Sequence, residues 1–143
     1  MGKRSVDIGK AEQKHVAALY RAVGADVYEL GTTRSRGGRC LKCAAFVPNR
    51  DMSTRQTPGI PDLLVFLPVR GAEPTLMLWH EVKAGSGRLS ADQQKFRSWC
   101  QAAHVEHVTG GLEAAIAYLV GHGRLKADQV PHYRLTGAAH GRA

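Results

Sequence analysis

The chain has 143 residues, of which 43% are hydrophobic and 22% are charged, which fits one globular domain and excludes a disordered or fibrous chain. Lysine and arginine outnumber aspartate and glutamate by 20 to 12, and the net charge of +8 favours a polyanionic partner, nucleic acid before an anionic membrane. No apolar run approaches the roughly 18 residues that span a bilayer, and the start lacks the apolar stretch of a signal peptide, so a cytoplasmic protein is expected.

The first predicted helix covers residues 6–23 and ends at Gly24. Its apolar stripe at helical spacing consists of Ile8, Val16, Leu19 and Val23. A short strand pattern follows at 26–33. The next stretch, 34–57, is rich in Arg, Gly and Pro without a clear period, and we expect a basic loop there.

Two apolar runs, 63–67 and 75–83, flank the turn residues VRGAEP and predict a β-hairpin. Ser90 opens a second helix, whose predicted core stripe is Phe96, Trp99, Cys100 and Ala103. A strand at 105–109 and a helix at 112–120 follow, and the basic tail 121–143 is expected to be a loose arm or an extra strand. The order αβββαβα predicts an α/β sandwich, one sheet with helices on its faces.

The hairpin places acidic residues opposite each other. If it is symmetric about its turn, Asp62 pairs with Glu81, and strand alternation puts Lys83 on the same face. Like charges about 5 Å apart destabilise a sheet unless something positive lies between them. Hard oxygen ligands favour Mg²⁺ or Mn²⁺ over zinc. The pattern predicts metal-assisted phosphate-ester hydrolysis, in which Lys83 orients the attacking water or stabilises charge.

Glu12 lies on the stripe of the first helix, four residues after Ile8 and four before Val16. Because an unpaired buried carboxylate is costly, Glu12 is predicted to reach the same cation directly or through water. The alternative is an exposed position near a frayed helix end.

Gln93 precedes Phe96 by three residues and so points towards the sheet from the first turn of its helix, where it can hold a water or a phosphate. Ser90 and Gln93 also fit an S-x-x-Q capping box, which has no catalytic role, and the two roles can coexist.

The other residues have structural alternatives. Asp62 can be a turn residue after Pro61, and Glu81 with Lys83 can be an edge-strand charge pair. The segment GSGR at 85–88 lacks P-loop spacing and reads as a turn, with Arg88 in reach of a DNA backbone. His80 points away from the acid face and reads as a core histidine.

Cys40 and Cys43 form a single C-x-x-C motif. A zinc site would need two more ligands, for which Cys100 and His104 are distant candidates, so free thiols are the simpler interpretation. A zinc-stabilised RNA-binding domain is the corresponding alternative.

The loop 34–57 carries many positive charges against Asp51 alone, which favours phosphate contact over an ordinary solvated loop. These residues are Arg34, Arg36, Arg39, Lys42, Arg50 and Arg55.

The segments PGIPD, HEVK and GRLSADQ resemble the PD-(D/E)xK nuclease superfamily, specifically its VRR-NUC (virus-type replication-repair nuclease) branch, over residues 12–120. The resemblance implies a restriction-endonuclease-like α/β/α sandwich with a central mixed sheet, spanning 1–120, and a metal-dependent DNA endonuclease. Its catalytic positions are matched by Glu12, Asp62, Glu81, Lys83 and Gln93, and its backbone metal ligand by the Val82 carbonyl.

The same resemblance implies branched DNA such as junctions or flaps as substrate, and a homodimer. The chain departs from it in the stretch 34–57, which is longer and richer in Arg than a minimal nuclease of this type and leaves the substrate shape open. A catalytically silent nucleic-acid-binding module on the same fold is the alternative function.

Overall fold

The computed structural model describes residues 2–30, 38–39, 46–47, 57–68 and 75–139, with side chains for 8–30, 57–68 and 75–134. The helices are α1 (Gly2–Ala22), α2 (Ala91–Ala102), α3 (Leu112–Gly121) and α4 (Val130–Ala139), with a 3-10 turn at Ala127–Gln129. The strands are β1 (Asp26–Glu29), β2 (Gly38–Arg39), β3 (Phe46–Val47), β4 (Leu63–Leu67), β5 (Leu76–Val82) and β6 (Glu106–Gly110). The predicted α/β class is confirmed.

Four strands form one mixed sheet in the order β1-β4-β5-β6. β1, β4 and β5 are antiparallel neighbours, and β6 is parallel to β5 because α2 carries the chain back across the sheet. In the β4–β5 pair, Leu63 lies opposite His80 and Leu67 opposite Leu76, which confirms the register counted outwards from the turn.

The two faces of this sheet are covered differently. Leu63, Val65 and Leu67 are fully buried and belong to a core that includes Val16 of α1 and Leu119 of α3. On the opposite face, the ring of Trp79 in β5 packs edge-on against Phe96 of α2, with ring centroids 5.3 Å apart. Helices therefore cover both faces, and α2 lies on the face that carries the acidic residues.

Three residues of the predicted apolar stripes are exposed instead: Ile8, Trp99 and Ala103, the last of which is the C-cap of α2. Ile8 is 58% exposed, and the buried residues of α1 begin about two turns later, at Val16. Trp99 is 60% exposed, and Lys95 Nζ lies 5.1 Å from its ring centroid. Phe96 and Cys100, four residues apart, make the contact of α2 with the sheet, and Trp99 lies beside that line.

The C-terminal segment is neither the loose arm nor the extra strand that we expected. It forms the 3-10 turn and α4, and Leu125 is buried in the core. Arg134 of α4 donates two hydrogen bonds to the carboxylate of Glu113 in α3, from Nε at 2.8 Å and from Nη2 at 2.7 Å. The buried Leu125 and the two hydrogen bonds from Arg134 to Glu113 hold α4 against α3.

The segment predicted as a loop at 34–57 contains an antiparallel pair of two-residue strands, β2 and β3. Gly38 lies opposite Val47 and Arg39 opposite Phe46. Of the helices in the described residues, none is long and apolar enough to cross a membrane.

Candidate active site

Asp62 and Glu81 meet on the face of the sheet that carries α2. Asp62 directly precedes β4, and the pairing of Leu63 with His80 puts Asp62 opposite Glu81 of β5. Lys83 directly follows β5 and shares the face of Glu81. The structure thus brings together the two carboxylates and the lysine that the sequence analysis grouped.

The Glu81 carboxylate is almost completely buried, with 3% of its side chain exposed. Lys83 Nζ lies 2.9 Å from Glu81 Oε1, and Gln93 Nε2 donates to the same oxygen. The second oxygen, Oε2, is buried, and no donor in the described part of the chain reaches it. A buried carboxylate oxygen without a partner is unfavourable, so this atom points to a ligand that completes it.

The Asp62 side chain is anchored to the neighbouring strand. The Val82 N–H donates to Asp62 Oδ2 at 2.9 Å, and the Leu30 N–H donates to the Asp62 carbonyl at 2.8 Å. These bonds fix the carboxylate at the entrance of β4. The charged residue just before this apolar strand thus has a structural partner, since its side chain accepts a hydrogen bond from the backbone of β5.

Burial dominates the electrostatics of both carboxyl groups. Burial raises the pKa of Asp62, although the Val82 N–H and the Lys83 ammonium partly lower it. Burial likewise raises the pKa of Glu81, which the hydrogen bond from Lys83 lowers and the negative charge of Asp62 raises. The pair is therefore harder to ionise than exposed carboxyl groups, and a cation between them would favour the ionised form.

Gln93 performs two tasks from the first turn of α2. The side-chain Oε1 of Gln93 accepts the backbone N–H of Ser90 at 2.9 Å, and the backbone N–H of Gln93 donates to Ser90 Oγ at 3.3 Å. These two bonds confirm the capping box. The side-chain Nε2 of Gln93 donates to Glu81. The cap thus orients the amide that holds the carboxylate, and the predicted contact with water or phosphate stays a prediction.

Glu12 has a different partner. Its Oε1 accepts the Leu112 N–H at 2.8 Å, so a side chain of α1 caps α3, whose N-cap residue Gly111 has no side chain to do so. A Cβ at Gly111 would overlap this oxygen and would lie 3.2 Å from the Lys83 carbonyl oxygen, which places the carboxylate beside the backbone of Lys83. Glu12 is half-buried, not exposed at a frayed end.

The described residues contain no group of three or more His, Cys, Asp or Glu side chains that could hold a metal ion. The structure therefore does not assemble Glu12 with Asp62 and Glu81 as a third direct side-chain ligand. A role for Glu12 through water stays a prediction.

His80 is a core histidine, as predicted. It is fully buried, and burial lowers its pKa to about 4, so the ring is neutral. Its Nε2 lies 3.0 Å from the Gly110 carbonyl, which can only accept, so Nε2 carries the proton and Nδ1 accepts the Tyr20 hydroxyl at 2.7 Å. The Gly110 carbonyl also accepts the Lys83 N–H at 3.1 Å, which ties this buried pair to the backbone of the site.

Most residues predicted to bind DNA or zinc cannot be placed. Those outside the described residues are Arg34, Arg36, Lys42, Arg50, Arg55, Cys40 and Cys43, and for Arg39 only the backbone of β2 is described. Arg88 is exposed on the segment before α2, and Cys100 is a free, buried thiol.

No family model, no curated protein and no solved structure matches this chain. The fold and the site define a mixed α/β protein with helices on both faces of a four-stranded sheet, in which a buried Glu81 and a half-buried Asp62 lie beside Lys83.

Proposed function

We propose that this chain is a Mg²⁺-dependent deoxyribonuclease of the PD-(D/E)xK type, related to the VRR-NUC branch, that hydrolyses DNA phosphodiester bonds. The observation that carries the proposal is Glu81 Oε2, a buried carboxylate oxygen with no donor within the described residues, next to Asp62 and Lys83. An oxygen in that state fits a cation better than it fits a purely structural ion pair.

The residues present suit a hard divalent cation. Asp62 and Glu81 would hold it together with the backbone carbonyl of Val82, and water would complete the shell, as Mg²⁺ prefers. Mn²⁺ should substitute because it accepts the same ligands. When bound, the cation supplies Lewis-acid chemistry, acidifying a water molecule and neutralising phosphate charge.

Lys83 and Gln93 leave one oxygen of Glu81 available. Both bind Oε1, so they fix the plane of the carboxylate, while the buried Oε2 has no donor among the described residues. The ammonium group of Lys83, 2.9 Å from Glu81, is also in position to orient the attacking water or to stabilise the negative charge that develops on the phosphoryl group.

The charge of the chain supports a polyanionic substrate, since its formal net charge is +8. We assign backbone contacts to Arg34, Arg36, Arg39, Arg55 and Arg88 on the basis of sequence. A preference for junctions or flaps, a homodimer, a restriction-endonuclease-like fold and a cytoplasmic location are parts of the proposal that rest on the family resemblance and on composition.

A cleavage assay tests the proposal. Wild-type protein should cut plasmid, flap or four-way-junction DNA with Mg²⁺ or Mn²⁺ and should be inactive in EDTA. Glu81→Gln should reduce the rate by at least about 100-fold, because it removes the charge that holds the cation. Glu113→Gln is the matched control, since Glu113 is an exposed glutamate paired with Arg134 on α3.

Two results would overturn the proposal. Wild-type protein that binds these DNAs but cuts none of them with either metal would instead be a silent nucleic-acid-binding module. Stoichiometric zinc that survives dialysis, together with absent cleavage, would favour the zinc-stabilised binding domain.

A further inference from the structure

A groove runs along the outer surface of α2, on the same side of the sheet as Glu81. Its volume is about 460 Å³, and its lining residues are Arg88, Leu89, Gln94, Arg97, Ser98 and Gln101. Gln94, Arg97, Ser98 and Gln101 are three or four residues apart and so lie on one face of α2, and Arg88 and Leu89 belong to the segment that leads into the helix. The lining residue Gln94 directly follows Gln93 in α2, and Gln93 contacts Glu81.

The two arginines of this groove lack an acidic partner in the described part of the chain. Elsewhere, exposed arginines are paired: Arg21 binds Glu29 at 2.8 Å and Arg134 binds Glu113 at 2.7 Å. No acidic side chain is among the described residues that line the groove. Arg88 and Arg97 therefore give the groove two positive charges, and none of its lining residues is acidic.

Two of the three neutral polar side chains of the groove, Gln94 and Ser98, already make hydrogen bonds within α2 and the segment before it. Gln94 Nε2 donates to the Leu89 carbonyl at 3.1 Å, and Ser98 Oγ donates to the Gln94 carbonyl at 3.0 Å. The charged donors of the groove are the guanidinium groups of Arg88 and Arg97, which match the oxygens of a phosphate in bidentate geometry. This donor set favours an anionic ligand over a neutral polar one.

We propose that Arg88 and Arg97 bind a backbone phosphate of the DNA strand that is cut, away from the phosphate that is hydrolysed. Arg97 is four residues beyond Gln93, a rise of about 6 Å along α2. At about 3.4 Å of axis per nucleotide, that is roughly two nucleotides along a strand. The inference rests on the proposed function and deepens it: the preferred substrate is a polynucleotide strand, not an isolated phosphodiester.

A salt titration measures the contact directly. Binding of a fluorescein-labelled single-stranded oligonucleotide is followed by anisotropy in EDTA, where no cleavage occurs, from low to high salt. The double variant R88A/R97A should lower the slope of log affinity against log salt by about 0.7, the value for one phosphate contact on a single strand. The matched control R21A/R134A removes the same charge from two arginines that are already paired, and its slope should equal that of the wild type.

A comparison of substrates separates this inference from the proposed function. R88A/R97A should lower kcat/KM on an oligonucleotide by about 10-fold or more, since each phosphate contact adds salt-dependent affinity. Its hydrolysis of the small diester bis(p-nitrophenyl) phosphate, which has no second phosphate, should be unchanged.

Each outcome decides one of the two claims. A slope and an oligonucleotide rate equal to those of R21A/R134A would show that the groove is an ordinary solvated helix surface. If wild-type protein cuts neither the oligonucleotide nor plasmid, flap or four-way-junction DNA with Mg²⁺ or Mn²⁺, the nuclease proposal fails, and the salt slope alone still decides whether the groove contacts phosphate. If the protein cuts the oligonucleotide but not the small diester, the salt slope and the oligonucleotide rate decide whether the groove contacts phosphate.

Discussion

Gln93 donates an N–H of its side-chain amide to Oε1 of Glu81. This bond joins the first turn of α2 to the end of β5, two elements that are otherwise separated by the segment 83–90. Because the amide oxygen is held by the Ser90 N–H, the direction of the donated bond is set by the helix cap. The geometry of the carboxylate therefore depends on how α2 begins.

Replacing Gln93 and Ser90 separately should distinguish the cap from the site. Ser90→Ala removes the hydroxyl acceptor of the cap, should cost about 1 kcal/mol of stability and should leave cleavage within about threefold of wild type. Gln93→Ala should cost a similar stability and lower kcat by about 10-fold or more, because Glu81 also loses a donor. Denaturant unfolding and single-turnover cleavage provide the two measurements. Equal rates for the two variants would assign Gln93 to the cap alone.

Lys83→Ala should abolish cleavage and leave DNA binding nearly intact. Its ammonium lies beside Glu81, and we infer that it acts mainly on charge that develops in the transition state. We expect a loss of at least about 100-fold in kcat with an affinity within about threefold of wild type. Lys14→Ala, an exposed lysine on α1, is the control for net charge. Full activity in the Lys83 variant would remove this role.

Asp62→Asn should lose metal-dependent activity because it removes one of two carboxylate ligands. Calorimetric titration with Mn²⁺ should show uptake by the wild type and much weaker uptake by the variant. The Asn side chain keeps an oxygen that can accept the Val82 N–H, so the fold should be retained and the unfolding midpoint should change little. Unchanged Mn²⁺ uptake would contradict the ligand assignment.

Acidification should destabilise the protein through His80. The folded pKa is lowered to about 4 from 6.5 by burial and by the nearby His107, with the Gly110 carbonyl opposing the shift. The stabilising contribution is therefore present above about 6.5 and is lost as the pH falls towards 4, since only the unfolded chain takes up the proton readily. By linkage the full loss is about 3 kcal/mol. Unfolding experiments between pH 7 and pH 4 and an NMR titration of the His80 ring measure it.

The raised pKa values of Asp62 and Glu81 act in the opposite direction. Because the folded protein binds these protons more readily, their contribution favours folding at low pH and is lost as the pH rises through their raised pKa values. In the double variant D62N/E81Q this opposing contribution is absent, so its loss of stability on acidification should be steeper than that of the wild type. A His80 ring that titrates near 6.5, or a shallower loss in the double variant, would refute the assignment.

Local patterns in the chain were sufficient for the α/β class, the β4–β5 register and the capping box. Alternation with period two settles which strand residues share a face, so Asp62 could be set opposite Glu81 by counting from the turn. The box needs only Ser90 and Gln93, three residues apart. These features depend on neighbours in sequence or on one hairpin, and they are visible without a fold.

The packing of elements that are distant in sequence decided the partners of Glu12 and His80, the exposure of Trp99 and the structure of the C-terminal tail. Glu12 caps a helix that begins 100 residues later in the chain, and Tyr20 reaches His80 across 60 residues. The exposure of Trp99 depends on which line of α2 meets the sheet, and the helical tail depends on Leu125 entering a core built by other elements. Such contacts form only when separate elements are brought together, because the free energy of burying or pairing a side chain depends on what lies across from it, which no spacing along the chain records.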